Sequence, residues 1–83
     1  MDDMKLVLVE WEDSFGCASD WERLDGCKPQ VQTCRSVGWM LYNGDDCKVI
    51  VPHVAPKSGH GCGDMTIPTR AIVRIAELAE AAT

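Results

Sequence analysis

Short apolar runs alternate with polar breaks along this chain, and the runs have the period and residue types of strands. The first, Met4 to Trp11 (MKLVLVEW), puts Leu6 and Leu8 on one face and Val7, Val9 and Trp11 on the other, with Lys5 and Glu10 as brackets. It reads as a largely buried first strand. An excursion from Asp13 to Lys28 follows. Ser19 with Glu22 three residues later matches a capping box, which predicts a short helix over 18–24 ended by Asp25-Gly26. Extended structure resumes from Val31 to Tyr42, with Gly38 in mid-strand, where a glycine marks a bulge or a bend.

Asn43-Gly44-Asp45-Asp46 lies between two apolar runs, the strongest short-range hairpin signal, and predicts positive backbone angles at one or two positions. The return strand is Cys47 to Val54. Ala55 to Gly63 (APKSGHGCG), with three glycines, Pro56 and Ser58, reads as a flexible loop. Met65-Thr66-Ile67 forms a short fourth strand, and Pro68 forces a turn. Ala71 to Glu77 closes the fold as a fifth strand through about Ala76, followed by a frayed or short helical tail. The same segment after Pro68 also suits a helix. The expected fold class is mainly β: one domain over 1–83, a strongly bent five-stranded barrel with a short helix in the 13–28 excursion.

At 83 residues the core is thin, so oligomerisation, a metal or disulfides are natural supplements. The net charge of −5 is unevenly placed. Residues 1–26 hold eight acids against Lys5 and Arg23, and residues 27–83 hold five acids against six bases. An acidic N-terminal third repels phosphate, which argues against nucleic acid and favours a basic protein surface. Residues 1–5 lack a basic start, no apolar run has signal or membrane-spanning length, and a cytoplasmic location is expected. Five cysteines (Cys17, Cys27, Cys34, Cys47, Cys62) include no Cys-x-x-Cys pair, so free thiols packed as small hydrophobes are expected, with no metal and no cofactor. Only His60-Gly61-Cys62 approaches a zinc-ligand pair.

The order of strand, excursion, strand with mid-strand glycine, tight hairpin, short strand, single turn and closing strand resembles an SH3-like barrel and its Sm-like variant. More closely, the set Trp11-Glu12-Asp13-Ser14, Trp21, Ser36-Val37-Gly38-Trp39, Asp45-Asp46 and Thr66-Ile67-Pro68 resembles a group of small uncharacterised proteins encoded by bacteriophages and prophages. The likeness covers roughly residues 6 to 78 and implies a bacterial host cytoplasm. It carries over no activity and no functional residues. Sm-like proteins bind RNA through basic and aromatic loops, whereas the hairpin tip here is Asp45-Asp46.

Catalysis needs a nucleophile, a base and an orienting group within reach. Cys62 with His53 or His60 and Asp64 meets that only on paper, in a glycine-rich loop that makes a poor platform, so no enzyme is expected. A phosphate loop is excluded because no Lys-Ser/Thr follows the glycines. The tryptophans are better placed, since Trp is enriched at binding hot spots. Trp11 and Trp39 read as core and Trp21 as the interaction candidate. The expected binding residues are Trp21, Glu12, Asp13, Asp20, Glu22, Asp25 and His60. The expected function is a non-enzymatic phage-type module binding a host protein, with homo-oligomers allowed. The alternatives are an oligomeric small-ligand binder, such as a counter-defence protein that sequesters a signalling nucleotide, and a structural zinc or thiol protein.

Overall fold

The computed structural model describes residues 4–16 and 20–81. Among the described residues there are seven strands: β1 Leu6–Asp13, β2 Gln32–Asn43, β3 Cys47–Val51, β4 His53–Ala55, β5 His60–Cys62, β6 Met65–Pro68 and β7 Ile72–Glu77. Five of them form one antiparallel sheet in the order β6-β3-β2-β1-β7, and β4 and β5 form a separate hairpin. The fold is mainly β, as expected, but the sheet does not close: no ladder joins β6 to β7 among the described residues. β6 is only four residues long, and the 3-10 turn Thr69–Ala71 carries the chain across to β1 instead of back along β6.

One face of the sheet makes the core. Val7, Val9, Ile50 and Ile67 are buried together, and Trp11, Met40, Ala71 and Ile72 pack against them half-buried. Trp11 keeps its indole N–H satisfied by donating to Ser36 Oγ at 3.1 Å, which fixes the ring at the core's edge. Val51 is also buried but is paired with Trp39 on the opposite face, under the β4–β5 hairpin.

Gly38 has a different job from the one its position suggests. The irregularity in β2 falls later, between Met40 and Tyr42. Gly38 is needed because a Cβ there would meet the backbone of Val51 at 3.0–3.1 Å, so only a hydrogen fits where β3 crosses it. The Asn43-Gly44 hairpin forms, but without left-handed residues: positive φ among the described residues occurs only at Gly59 and Gly63. Bonds across the turn and one from Thr69 hold the tip. Gly44 N–H donates to Cys47 O at 3.0 Å, while Lys48 Nζ and Thr69 Oγ1 both donate to Gly44 O.

Four further expectations are corrected. Pro52 ends β3 at Val51, because it has no N–H to continue the ladder, and the chain starts a new strand at His53. The supposed flexible loop is the β4–β5 hairpin, with His53 opposite Cys62, Ala55 opposite His60, and Gly59 supplying the left-handed turn residue. No helix forms over the described part of 18–24 (Ala18 and Ser19 lie outside the described residues), and the excursion holds only a 3-10 turn, Leu24–Gly26. A helix that short needs an apolar face packed on something, and every described residue from Asp20 to Val31 is exposed. The tail is likewise non-helical over 78–81, where Leu78 N–H instead extends the β1 pairing by donating to Leu6 O at 2.8 Å.

Gly38→Ala should therefore lower stability by about 1–3 kcal/mol through overpacking against Val51, read as a lower urea midpoint at unchanged slope. Gly26→Ala, with nothing within 4 Å of the added carbon, should leave the midpoint within experimental scatter.

Candidate functional site

β1 and β2 hold out the segment 14–31 as an arm. Its anchor is the ladder ending at Asp13 opposite Gln32, and beyond that pair no described arm residue is buried. Trp21 is as exposed as in an isolated peptide, at 104 %, and Leu24 is 81 % and Phe15 51 % exposed. Of the sequence-predicted residues, Glu12 and Asp13 lie at the arm's root, and Asp20, Trp21, Glu22 and Asp25 lie along it, all exposed. His60 is not with them, because it sits on β5, cross-strand from Ala55.

Local structure in the arm is set by charge rather than by packing. Arg23 donates to both carboxylate oxygens of Asp25, from Nε at 3.2 Å and Nη2 at 3.0 Å, across the 3-10 turn. That bond holds the Asp25 carboxyl below its ordinary range and pushes Arg23 up. Beside the turn, Phe15, Glu22, Cys27, Lys28 and Pro29 line a shallow cleft of about 380 Å³. A second cleft, of about 370 Å³, opens at the core's rim between Val7, Met40, Leu41 and Ile75, with Lys5, Asn43 and Glu77 around it. Lys5 and Glu77 form an ion pair of 3.0 Å.

The paper triad is only partly assembled. Strand pairing puts His53 opposite Cys62 and His60 two residues along on the same side, but all three are exposed on a hairpin that encloses nothing. Among the described residues no group of three His, Cys, Asp or Glu side chains is gathered as a metal site. Of the thiols, Cys34 and Cys47 are half-buried as expected, whereas Cys27 and Cys62 are exposed, and all four are free. Cys17 lies outside the described residues. Among the described residues no helix is long and apolar enough to cross a membrane.

The outer face of the sheet carries a feature the sequence reading missed. Strand register lines up three rows across β2, β1 and β7: Trp39–Leu6–Leu78, Val37–Leu8–Ala76 and Arg35–Glu10–Arg74. The first two rows are apolar, with Val37 52 % and Leu78 39 % exposed. The third is an ion-paired border, in which Glu10 Oε1 accepts from Arg74 Nη2 at 2.7 Å and lies 3.6 Å from Arg35 Nε. The Arg74 hydrogen bond, helped by the charges of Arg74 and Arg35, lowers the Glu10 pKa against a smaller opposing effect of desolvation. The available signal was in β1 itself, where Leu6 and Leu8 are as apolar as the core-facing Val7 and Val9.

No protein-family model, curated protein or solved structure matches this chain. Fold and surface thus define a class: a small, mainly β protein on a five-stranded antiparallel sheet, with an exposed acidic and aromatic arm at one end.

A carboxylate whose pKa is lowered by folding contributes stability above its unfolded pKa, about 4.3 for Glu, and loses it as pH falls through the lowered folded value. Glu10→Gln should therefore flatten the acid limb of stability below that point. A titration of the Glu10 carboxyl carbon by NMR checks the cause: its midpoint should lie below the ordinary glutamate range and rise when Arg74 is replaced by Gln.

Proposed function

We propose that this protein is a non-enzymatic interaction module of the phage-encoded type, working in a bacterial cytoplasm by gripping a host protein through its 14–31 arm. The observation that carries the reading is Trp21, fully exposed on an arm that also exposes Phe15 and Leu24. A Trp offers roughly 150–250 Å² for burial, and at about 25 cal/mol per Å² the free protein leaves several kcal/mol of binding energy unused. The acids Asp13, Asp20, Glu22 and Asp25 surround these residues, so the fitting partner is a protein surface with an apolar pocket ringed by Lys or Arg. Free thiols at Cys27, Cys34, Cys47 and Cys62 are in keeping with a reducing compartment.

We read the scaffold as an opened SH3-like barrel. The strand order β6-β3-β2-β1-β7 and the 3-10 turn linking β6 to β7 support this. A second reading, a small-ligand binder, draws on the cleft between Val7, Met40 and Ile75, whose size suits a small molecule. Its rim pairs Lys5 with Glu77, which favours a zwitterionic or neutral ligand over a phosphate.

Affinity capture from host lysate should recover one protein with the wild type and lose it with Trp21→Ala, whose circular dichroism should match the wild type because Trp21 packs on nothing within its own chain. Capture should weaken as salt rises from 50 to about 500 mM, where screening lengths fall to a few ångströms. Capture that is indifferent to both Trp21 and salt would refute the reading.

A further inference from the structure

We infer that the partner of the arm in the free protein is a second copy of this chain, the arm of each protomer lying across the outer sheet face of the other. This rests on the reading of the arm as the working surface and names what that surface meets first.

The two surfaces are complementary in composition. The arm brings Phe15, Trp21 and Leu24, and the outer face offers Leu6, Leu8, Val37, Trp39, Ala76 and Leu78 in two adjoining rows. Charge runs the same way. The arm carries Asp20, Glu22 and Asp25 against Arg23 and Lys28, with Glu12 and Asp13 at its root, and the border of the outer face carries Arg35 and Arg74 against Glu10. Reach is sufficient as well. Trp21 is eight residues from the root at Asp13, up to about 26 Å of extended chain, while the rows from Glu10 to Leu6 span only about 13 Å. The arm leaves the sheet from the end next to the Arg35–Glu10–Arg74 row, so two copies abutting at that row each place an arm over the other's face.

The uncovered area is of the size that a second copy would bury. The chain exposes 6830 Å², whereas a compact monomer of 9.1 kDa exposes about 4,900 Å². The radius of gyration is 16.7 Å, against about 12 Å for a compact chain of this length. The excess of about 1,900 Å² matches what one protomer buries in an obligate interface, roughly 1,000–2,500 Å². The outer face by itself is too small for a stable dimer, but reciprocal arms add their own area twice over. The host protein then competes with the second copy for Trp21.

Sedimentation velocity and native mass spectrometry of the full chain test this. The wild type should run at twice its 9.1 kDa mass. An arm variant, Trp21→Ser with Leu24→Ser, and a face variant, Val37→Glu, should each run as monomers with the wild-type circular dichroism spectrum. Should Val37→Glu lose that spectrum, Val37→Gln takes its place. An equimolar mixture of arm and face variants should regain a dimer, because one intact arm then meets one intact face. A monomeric wild type, a dimer that survives in the arm variant, or a mixture that stays monomeric each overturns the inference. A monomeric wild type that still captures a host protein through Trp21 removes the second copy and leaves the proposed function standing. A dimer without any Trp21-dependent host capture does the reverse.

Discussion

β1 is bonded along both edges, to β2 on one side and to β7 on the other, and the rest of the molecule depends on that double pairing. Its inward residues Val7 and Val9 are buried in the core, and its outward residues Leu6, Leu8 and Glu10 set the three rows of the outer face. The partners come from distant parts of the chain: the Arg74–Glu10 bond closes a span of 64 residues. Such non-local pairing costs loop-closure entropy before any contact repays it. The Thr69–Ala71 turn lowers that cost by delivering Ile72 directly opposite Trp11.

Much of the scaffold was legible because local chemistry and tertiary pairing agree there. The LVLV run of β1, the Asn43-Gly44 tip and the Ile67-Pro68 stop each lie where the sequence puts them. The failures have physical causes. The purpose of Gly38 depends on how closely the backbone of Val51 passes, a distance no local pattern encodes. The β4–β5 hairpin was hidden because His60-Gly61-Cys62 has loop composition. What makes it a strand is the ladder with β4, and Gly61 lies over the Val51 side chain, where a Cβ would approach to 3.0 Å. The expected helix in the excursion had a good capping signal but no apolar stripe to pack, and capping alone does not hold so short a helix.

The surface was legible by a different rule. Exposure of Trp21 follows from its surroundings of Asp20, Glu22 and Asp25, which cannot enter a core, so the acidic excursion announces its own exposure. His60 was grouped with those acids only by being exposed, and strand pairing puts it on another element. The outer-face rows need register, since Val37, Leu8 and Ala76 are strangers in sequence and neighbours only once β2, β1 and β7 are aligned. Alternation in a single strand reveals that a second face is apolar. It does not reveal how far the patch extends.

The thin core and the rich surface are two sides of one allocation of apolar residues. Among the described apolar side chains only Val7, Val9, Ile50, Val51 and Ile67 are buried below a few per cent exposure, while Phe15, Trp21, Leu24, Val37 and Leu41 stay half exposed or more. In so small a chain, ordering each residue costs about 1.5 kcal/mol, so apolar area left in water is stabilisation forgone. Any partner that covers the arm or the outer face binds the folded chain and not the unfolded one, and therefore stabilises the fold by mass action. Binding and folding in this protein draw on the same side chains. A variant that weakens the β1 pairing should for that reason weaken association too, whereas a change at Trp21, which touches nothing within its own chain, acts on stability solely through the partner it loses.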